Sequence, residues 1–381
     1  MRKTYKFKIK PTPHQEWQLE RVLQHCRALY NCALEQRITW WRRGQGRSVS
    51  RYQQEAELKD IRAEFPEYAA VHSHVLQDVL ARLDKTYQAF FRRLMNGEKP
   101  GFPRFQGKDR YHSFTYKEFG NGAQLDNGFL VLSKIGRVAV RWSRPVEGTI
   151  KTVMISREAD GWYACFSCAE VPTHVLSPTR RETGIDVGLK VFLATADGEA
   201  VENPRHYRKA EKALAKAQKR VSRRKKGSNR RRKAKHLLAR KHQEVRRQRR
   251  DFHHKIALML ARTYDIIYVE DLRVANLVRN HHLAKSISDA GWAQFRTTLA
   301  YKAACAGKQV VLVPPHDTSQ QCSGCGERVE KSLSVRTHVC PSCGLVLDRD
   351  QNAARNIQWA GQALRGLAGL PAGMNRASVG L

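Results

Sequence analysis

The chain has 381 residues, enough for one large hydrophobic core or two to three smaller ones. Its 69 Lys and Arg against 35 Asp and Glu leave a formal charge of +34, an excess that folding does not need and that points to a polyanion, nucleic acid rather than a membrane surface. No apolar run approaches the roughly 18 residues of a membrane-spanning helix, and the nine cysteines without a secretory segment fit a reducing cytoplasm.

MRKTYKFKIK reads as a first strand with Tyr5, Phe7 and Ile9 on one face. Thr12, Pro13 and Gln15 then give a helix cap, a proline at the first helical position and a capping box, followed by Trp17, Leu23, Cys26, Tyr30 and Leu34 at helical spacing. Ser50 and Gln53 repeat the capping signal, and a third helix is expected from about Ser73 to Gly97. Residues 13–97 therefore read as a helical insert. From 112 to 170 short alternating runs (FLVL, RVAVRW, TVMISRE, GWYACFSCAEV) are separated by Gly, Asn and Asp turns, the pattern of a small antiparallel barrel or sheet to which the first strand returns.

After 183 the texture becomes α/β. TGIDVGLKVFLATADG predicts strand, glycine turn, strand; YDIIYVEDL predicts another strand; a helix runs through Trp292, Phe295, Leu299 and Ala303; KQVVLVPP predicts a further strand, and a helix opens near Arg349. Between Arg205 and Arg250 there are 22 Lys or Arg against 2 Glu. The heptad steps Leu214 to Val221 and Leu238 to Val245, broken by Gly227, Ser228 and Asn229, predict a helical hairpin over 205–262 with an apolar seam and basic outer faces. Arg223, Arg224, Lys225, Lys226, Arg230, Arg231 and Arg232 are its candidate phosphate contacts, with a merely solvated arm as the plainer alternative. The last twenty residues, rich in Ala and Gly, read as a disordered tail.

Two Cys-x-x-Cys pairs, Cys322/Cys325 and Cys340/Cys343, supply four soft thiolates, the donor set of a structural zinc ion, one per chain, with Gly324, Gly326 and Gly344 allowing the turns. Cys165 and Cys168 lie in a period-two run that sends them to opposite faces of a strand, so they are not expected to share a metal. Cys26, Cys32 and Cys305 read as core thiols.

Three carboxylates stand out by context. Asp186 sits in an apolar run between Gly184 and Gly188, Glu270 ends the strand DIIYV, and Asp350 opens the last helix. Converging at a sheet end, they would hold two divalent ions for phosphodiester cleavage. Each has a duller alternative: Asp186 paired with a lysine, Glu270 or Asp271 as a cap, and Asp348 with Gln351 as a capping box, which makes Asp350 rather than Asp348 the expected ligand. The residues alone reach a zinc-bearing, metal-dependent nuclease acting on nucleic acid.

The order PGFPRFQGKDRYHSFTY, GIDVGLK, YVEDL, SDAGWAQFRTTLAYKA, DTSQQCSGCG, a second Cys-x-x-Cys and DRDQNAARNI closely resembles the TnpB (OrfB) proteins of insertion-sequence transposons, from residue 1 to about 358. The resemblance implies an α/β and α+β multidomain protein: a ribonuclease H-like (RuvC) nuclease domain over 181–317 and 347–360, a zinc ribbon over 318–346, and a preceding wedge-type β-barrel over 1–12 and 98–180 that carries the insert, with a tail over 361–381. It implies an RNA-guided DNA endonuclease related to type V CRISPR effectors, cutting beside a short adjacent motif, with a transposon-derived guide RNA and target DNA as partners, no membrane, a monomeric state and a place at the nucleoid. Its catalytic, magnesium- or manganese-binding residues fall on Asp186, Glu270 and Asp350, and its zinc ligands on Cys322, Cys325, Cys340 and Cys343. A binding-only repressor and a strand-joining transposase with the same metal chemistry are the rival readings. No helix-turn-helix or finger helix able to read a long DNA site stands out.

Overall fold

The computed structural model describes residues 1–368 apart from 45, 47, 109, 316, 317, 333 and 334, and the side chains of 367 and 368. Two compact units divide at Pro172/Thr173.

In the first unit β1 (Lys3–Lys10) is followed by α1 (Pro13–Arg43), α2 (Arg51–Glu64), α3 (Pro66–Ala69) and α4 (Ser73–Met95). Then come β2 (Ser113–Tyr116), β3 (Ala123–Asp126), β4 (Phe129–Leu132), β5 (Gly136–Arg141), β6 (Thr149–Glu158) and β7 (Gly161–Ala169). Both expected capping boxes form, with Thr12 and Gln15 opening α1 and Ser50 and Gln53 opening α2. Each satisfies backbone N–H groups that a helix start leaves unpaired. The strands make one antiparallel sheet in the order β2-β6-β7-β1-β5-β4-β3, so the first strand does return, between β7 and β5. Tyr5, Phe7 and Ile9 are buried in its core with Phe114, Phe166 and Trp162. Trp17 departs from the expected apolar face: it is 54% exposed beneath the Arg21 guanidinium, while Leu19 and Val22 turn inward. Cys165 and Cys168 are buried on β7, Cys26 is buried in the helical core, and Cys32 is exposed and not the core thiol its context suggested.

The second unit holds β8 (Glu182–Val187), β9 (Val191–Thr195), β10 (Ala200–Glu202), α5 (His206–Ser222), α6 (Asn229–Thr263), β11 (Ile266–Glu270), α7 (Val274–Leu277) and α8 (His281–Ala290). It continues with α9 (Trp292–Cys305), β12 (Gln309–Val313), β13 (Thr337–Val339), β14 (Val346–Asp348) and α10 (Arg349–Ala368). The main sheet runs β10-β9-β8-β11-β12; β10, β9 and β8 are antiparallel, while β8, β11 and β12 are parallel. Period-two alternation divides β11 between two cores: Ile267 and Val269 pack with Leu260, Phe295 and Leu299, and Tyr268 packs with Ile357 of α10. Cys305, expected in the core, is half-buried. α10 continues eight residues beyond the point where the sequence suggested a tail, through residues 361–368; the rest of that expected tail, 369–381, lies outside the described residues.

The sheet and α10 approach so closely that two positions admit no side chain. A Cβ at Gly184 would overlap the Ala354 carbonyl and lie 2.5 Å from the Gln358 nitrogen, and one at Gly361 would overlap the Tyr268 ring. Gly184→Ala should therefore push helix backbone off the strand, at a cost of about 1–3 kcal/mol or more. Urea denaturation checks this; a change below about 0.5 kcal/mol, ordinary for a surface substitution, would contradict the packing.

Candidate active site and cysteine cluster

β8 and β11 are parallel neighbours with Ile185 opposite Val269, so the next residue on each, Asp186 and Glu270, stand side by side at the carboxyl ends of adjacent strands. Such ends of parallel strands are where α/β sheets place ligands. Asp350 comes from the first turn of α10. A Cβ at Gly188, just past β8, would lie 4.0 Å from its Oδ2, so the helix delivers this third carboxylate to the same sheet end.

The surroundings make the cluster electrostatically costly. Burial, then the charges of Glu270 and Asp350, push the Asp186 carboxyl up to about 7. Burial also pushes Glu270 up, offset in part by the Thr318 hydroxyl, which donates to its Oε1 at 2.5 Å. Asp350 is buried and meets two guanidinium groups: Arg336 Nη1 at 3.4 Å from Oδ2 and Arg349 Nη2 at 3.2 Å from Oδ1. The three carboxylates do not share one 4.8 Å ligand set. Their hard oxygens, mutual repulsion and recruited cations nevertheless suit divalent ions of the magnesium class held by separate oxygens.

The competing candidates have other partners. Asp271 is exposed and ion-paired with Arg296. Asp348 caps α10, its Oδ1 accepting from the Asp350 and Gln351 N–H groups at 2.9 and 3.2 Å. The Gln351 side-chain NH2 donates to the Ala196 carbonyl at 3.4 Å.

The four cysteines form two matching knuckles. Gly326 N–H donates to the Cys322 carbonyl and Gly344 N–H to the Cys340 carbonyl, both glycines taking positive φ (+80° and +73°). Cys322 Sγ lies 3.6 Å from Cys343 Sγ, Cys325 Sγ lies 3.6 Å from Cys340 Sγ, and all four fall within 4.8 Å of one another. A tetrahedral ion with metal–sulfur bonds of about 2.3 Å needs sulfur separations of about 3.8 Å, so the set fits one closed tetrahedral site. Cys340 is already biased toward thiolate: the Cys343 backbone N–H, working against desolvation and helped by the Ser342 N–H, draws it down to about 6.

Sequence reasoning missed the groups that lock these parts together. Asn352 accepts from the Ser323 N–H at 2.9 Å and donates to the Gln321 carbonyl at 2.7 Å. Asn356, one turn on, donates to the Thr318 and Gln321 carbonyls, both at 2.8 Å. Their signal was in the sequence: two asparagines at i, i+4 on the helix face that carries buried alanines. Nothing in the sequence marked Thr318 or Arg336.

The basic hairpin forms from α5 and α6, with Leu214, Ala217, Val221, Ala234 and Val245 buried in its seam. Arg223, Lys225, Lys226, Arg230 and Arg232 are exposed and Arg224 is half-buried. Arg231 is not free for a phosphate: its Nη1 donates to the Val221 and Arg224 carbonyls at 2.9 and 2.7 Å, capping the end of α5.

Comparisons with known proteins follow the same lines. A profile of the OrfB group of IS605 elements, described as "Probable transposase", matches residues 166–281, and one described as "Cas12f1-like, TNB domain" matches 292–357. A Streptomyces pristinaespiralis protein named "Putative RNA-guided DNA endonuclease" is 37% identical over 95% of this chain and 90% of its own. The Escherichia coli K12 protein "Putative RNA-guided DNA endonuclease InsQ" is 30% identical over 94% of this chain and 92% of its own. This chain belongs to the TnpB (OrfB) family. A mimivirus relative named "TnpB-like protein L79" is 27% identical over 58% of the chain and 45% of its own. The solved mini-RNA-guided endonuclease CRISPR-Cas_phi3 is far more distant, with 11% identity, 95% and 92% coverage and a TM-score of 0.48, too low to bear on this fold. A third family profile, described as "Helix-turn-helix domain", matches residues 1–46, which here form β1 and the single helix α1.

The position of Asp186 sets a pH dependence in metal-free protein. Its native value of about 7 exceeds the ordinary 3.8, so the folded state binds the extra proton between those limits and stability falls as pH rises through them. Asp186→Asn, which mimics the protonated form, should leave stability unchanged near pH 4, gain progressively on the parent up to about pH 7 and stay level above it. Thermal melts in EDTA across pH 4–8 check this, and a pH-independent difference would contradict it.

Proposed function

We propose that this chain is an RNA-guided DNA endonuclease of a transposon, with Asp186, Glu270 and Asp350 as its catalytic carboxylates. The observation that carries the reading is their meeting: two carboxylates at adjacent parallel strand ends, and a third brought beside them by a helix lying directly on β8. The names of the two long-matching relatives support both the guidance and the nuclease activity. The five-stranded order, with three antiparallel and three parallel members sharing β8, supports a ribonuclease H-like (RuvC) domain. The antiparallel sheet with α1–α4 between β1 and β2 supports a wedge-type barrel carrying a helical recognition insert.

Mg²⁺ or Mn²⁺, when bound, would supply Lewis-acid activation of water and stabilisation of the leaving oxygen. The protein's own contribution is to hold three carboxylates at one sheet end, with Thr318 fixing Glu270 and the Asp348 cap fixing the turn that bears Asp350. The cysteine set would hold one structural zinc; four protein ligands leave it no open position for catalysis. Exposed cations of the α5–α6 hairpin would meet the phosphates of guide RNA or DNA. No helix among the described residues is long and apolar enough to cross a membrane, and a cytoplasmic place with nucleic acid suits the charge.

Two experiments test this reading. In a two-plasmid assay, swapping the guide segment should move cutting from one target to the other, with dependence on Mg²⁺ or Mn²⁺ and on a short unpaired motif beside the target. Asp186→Ala, Glu270→Ala and Asp350→Ala should each abolish cutting while target binding stays within a few-fold, and Asp348→Ala should keep much of the activity. Equal cutting by RNA-free protein would refute guidance, uncut DNA would favour a repressor, and joined DNA a transposase. Separately, purified protein should carry one zinc per chain, and Cys322→Ser or Cys340→Ser should lower that content and destabilise the second unit; freely titrating thiols with no zinc would refute it.

A further inference from the structure

The second unit contains a cavity of about 460 Å³ whose wall carries Lys190, Arg205, Arg208 and Arg336. The one acid in the wall, Asp289, is already engaged: it accepts from the Tyr207 and Arg208 N–H groups at 2.8 and 3.1 Å and from Arg249 at 3.2 Å. Among the described residues no ion pair engages Lys190 or Arg205. Arg336 is partnered by Asp350 and Arg208 donates to the Ser286 hydroxyl at 3.2 Å, so Lys190 and Arg205 carry the charge that an anion would compensate.

The hollow is also built to hold its shape. Arg205 has φ of +48°, the left-handed conformation that a non-glycine residue adopts under constraint. Asn203 imposes it, accepting from the Arg205 N–H at 3.1 Å and donating to the Leu189 carbonyl at 2.9 Å. The same asparagine thus ties Arg205 to the loop that follows Asp186 and carries Lys190. From the wall, Arg336 reaches Asp350 at 3.4 Å, so one cation is shared between the hollow and the carboxylate cluster.

We propose that this pocket binds a backbone phosphate of the DNA strand being cut, next to the scissile one, with Lys190 and Arg205 as positioning residues. The inference rests on the endonuclease reading and adds to it the contact that seats the strand. A guanidinium and an ammonium from a fixed loop and a constrained helix start suit a phosphate, whose charge they neutralise in a set direction. A strand held at the carboxylates lies near the shared Arg336, which favours the cut strand over guide RNA as the occupant.

The test compares the guide-RNA complexes of the parent and of the Lys190→Gln/Arg205→Gln variant. Targets carry a neutral methylphosphonate at one position at a time around the cut. In single-turnover cleavage the variant should cut about 10- to 100-fold slower while copurifying guide RNA at the parent level. One methylphosphonate near the cut should slow the parent by a similar factor and the variant no further. The Lys190→Arg/Arg205→Lys variant, which keeps both charges, should retain most of the rate, and thermal melts confirm folding. Losses that add at every position, or a variant that loses its guide RNA, would overturn the proposal. A second measurement is independent of cutting: the salt slope for a short single-stranded DNA should fall by about 0.7 for each phosphate that the variant no longer neutralises. An unchanged slope overturns the pocket, whereas a parent complex that binds with the expected slope but cuts no guided target overturns the endonuclease reading instead.

Discussion

The second unit depends on how closely α10 lies on β8. Contact at backbone distance is possible only because position 184 has no side chain. From that approach follow the placement of Asp350 over the sheet end and the reach of Asn352 and Asn356 into the segment before and within the first cysteine knuckle. One helix therefore sets a carboxylate on one side and docks the cysteine cluster on the other. The cluster needs that support. Cys322, Cys340 and His338 are buried there, a core too small to order a loop of this length without a metal or a neighbour.

The carboxylate end of the sheet is organised around charge that burial makes expensive. Burial and the charges of Glu270 and Asp350 raise the proton affinity of Asp186, and the structure places Arg336 and Arg349 on Asp350 and a hydroxyl on Glu270. These partners differ in kind. Thr318 fixes geometry without adding charge, whereas the Asp348 cap fixes the turn with a further carboxylate. The two arginines supply positive charge directly to Asp350.

How much of this was legible depended on whether a residue's role was local. Capping boxes, positive-φ glycines after each cysteine pair, the alternation of β1 and β11 and the glycine turn after Asp186 are written within a few residues, and they stand where local rules place them. The choice of Glu270 over Asp271 and of Asp350 over Asp348 rests on strand ends and helix caps; in the structure Asp271 pairs with Arg296, Asp348 caps α10, and burial pushes Glu270 up. Roles that depend on distant partners were not legible. Arg231 read as one more hairpin cation, yet the turn folds it back onto the carbonyls of α5. Trp17 kept helical spacing but lies on the solvent side of α1, and Cys32 likewise. The helical reading stopped at 360 because Ala and Gly look like tail residues, whereas Gly361 is required by the Tyr268 ring beneath it.

The distribution of cations carries the last step. The α5–α6 hairpin is held by a narrow seam of Leu, Val and Ala, while the cations on its outer faces repel one another. Arg231, by capping α5, and the Lys285–Glu211 pair return some stability to it. A hairpin so charged is weaker alone than one with neutral faces, and screening by salt relieves only part of that. Its composition makes physical sense if phosphates complete it. Many exposed cations along an arm grip a polyanion without reading its sequence, whereas a few cations in a fixed hollow can hold one phosphate in a set place.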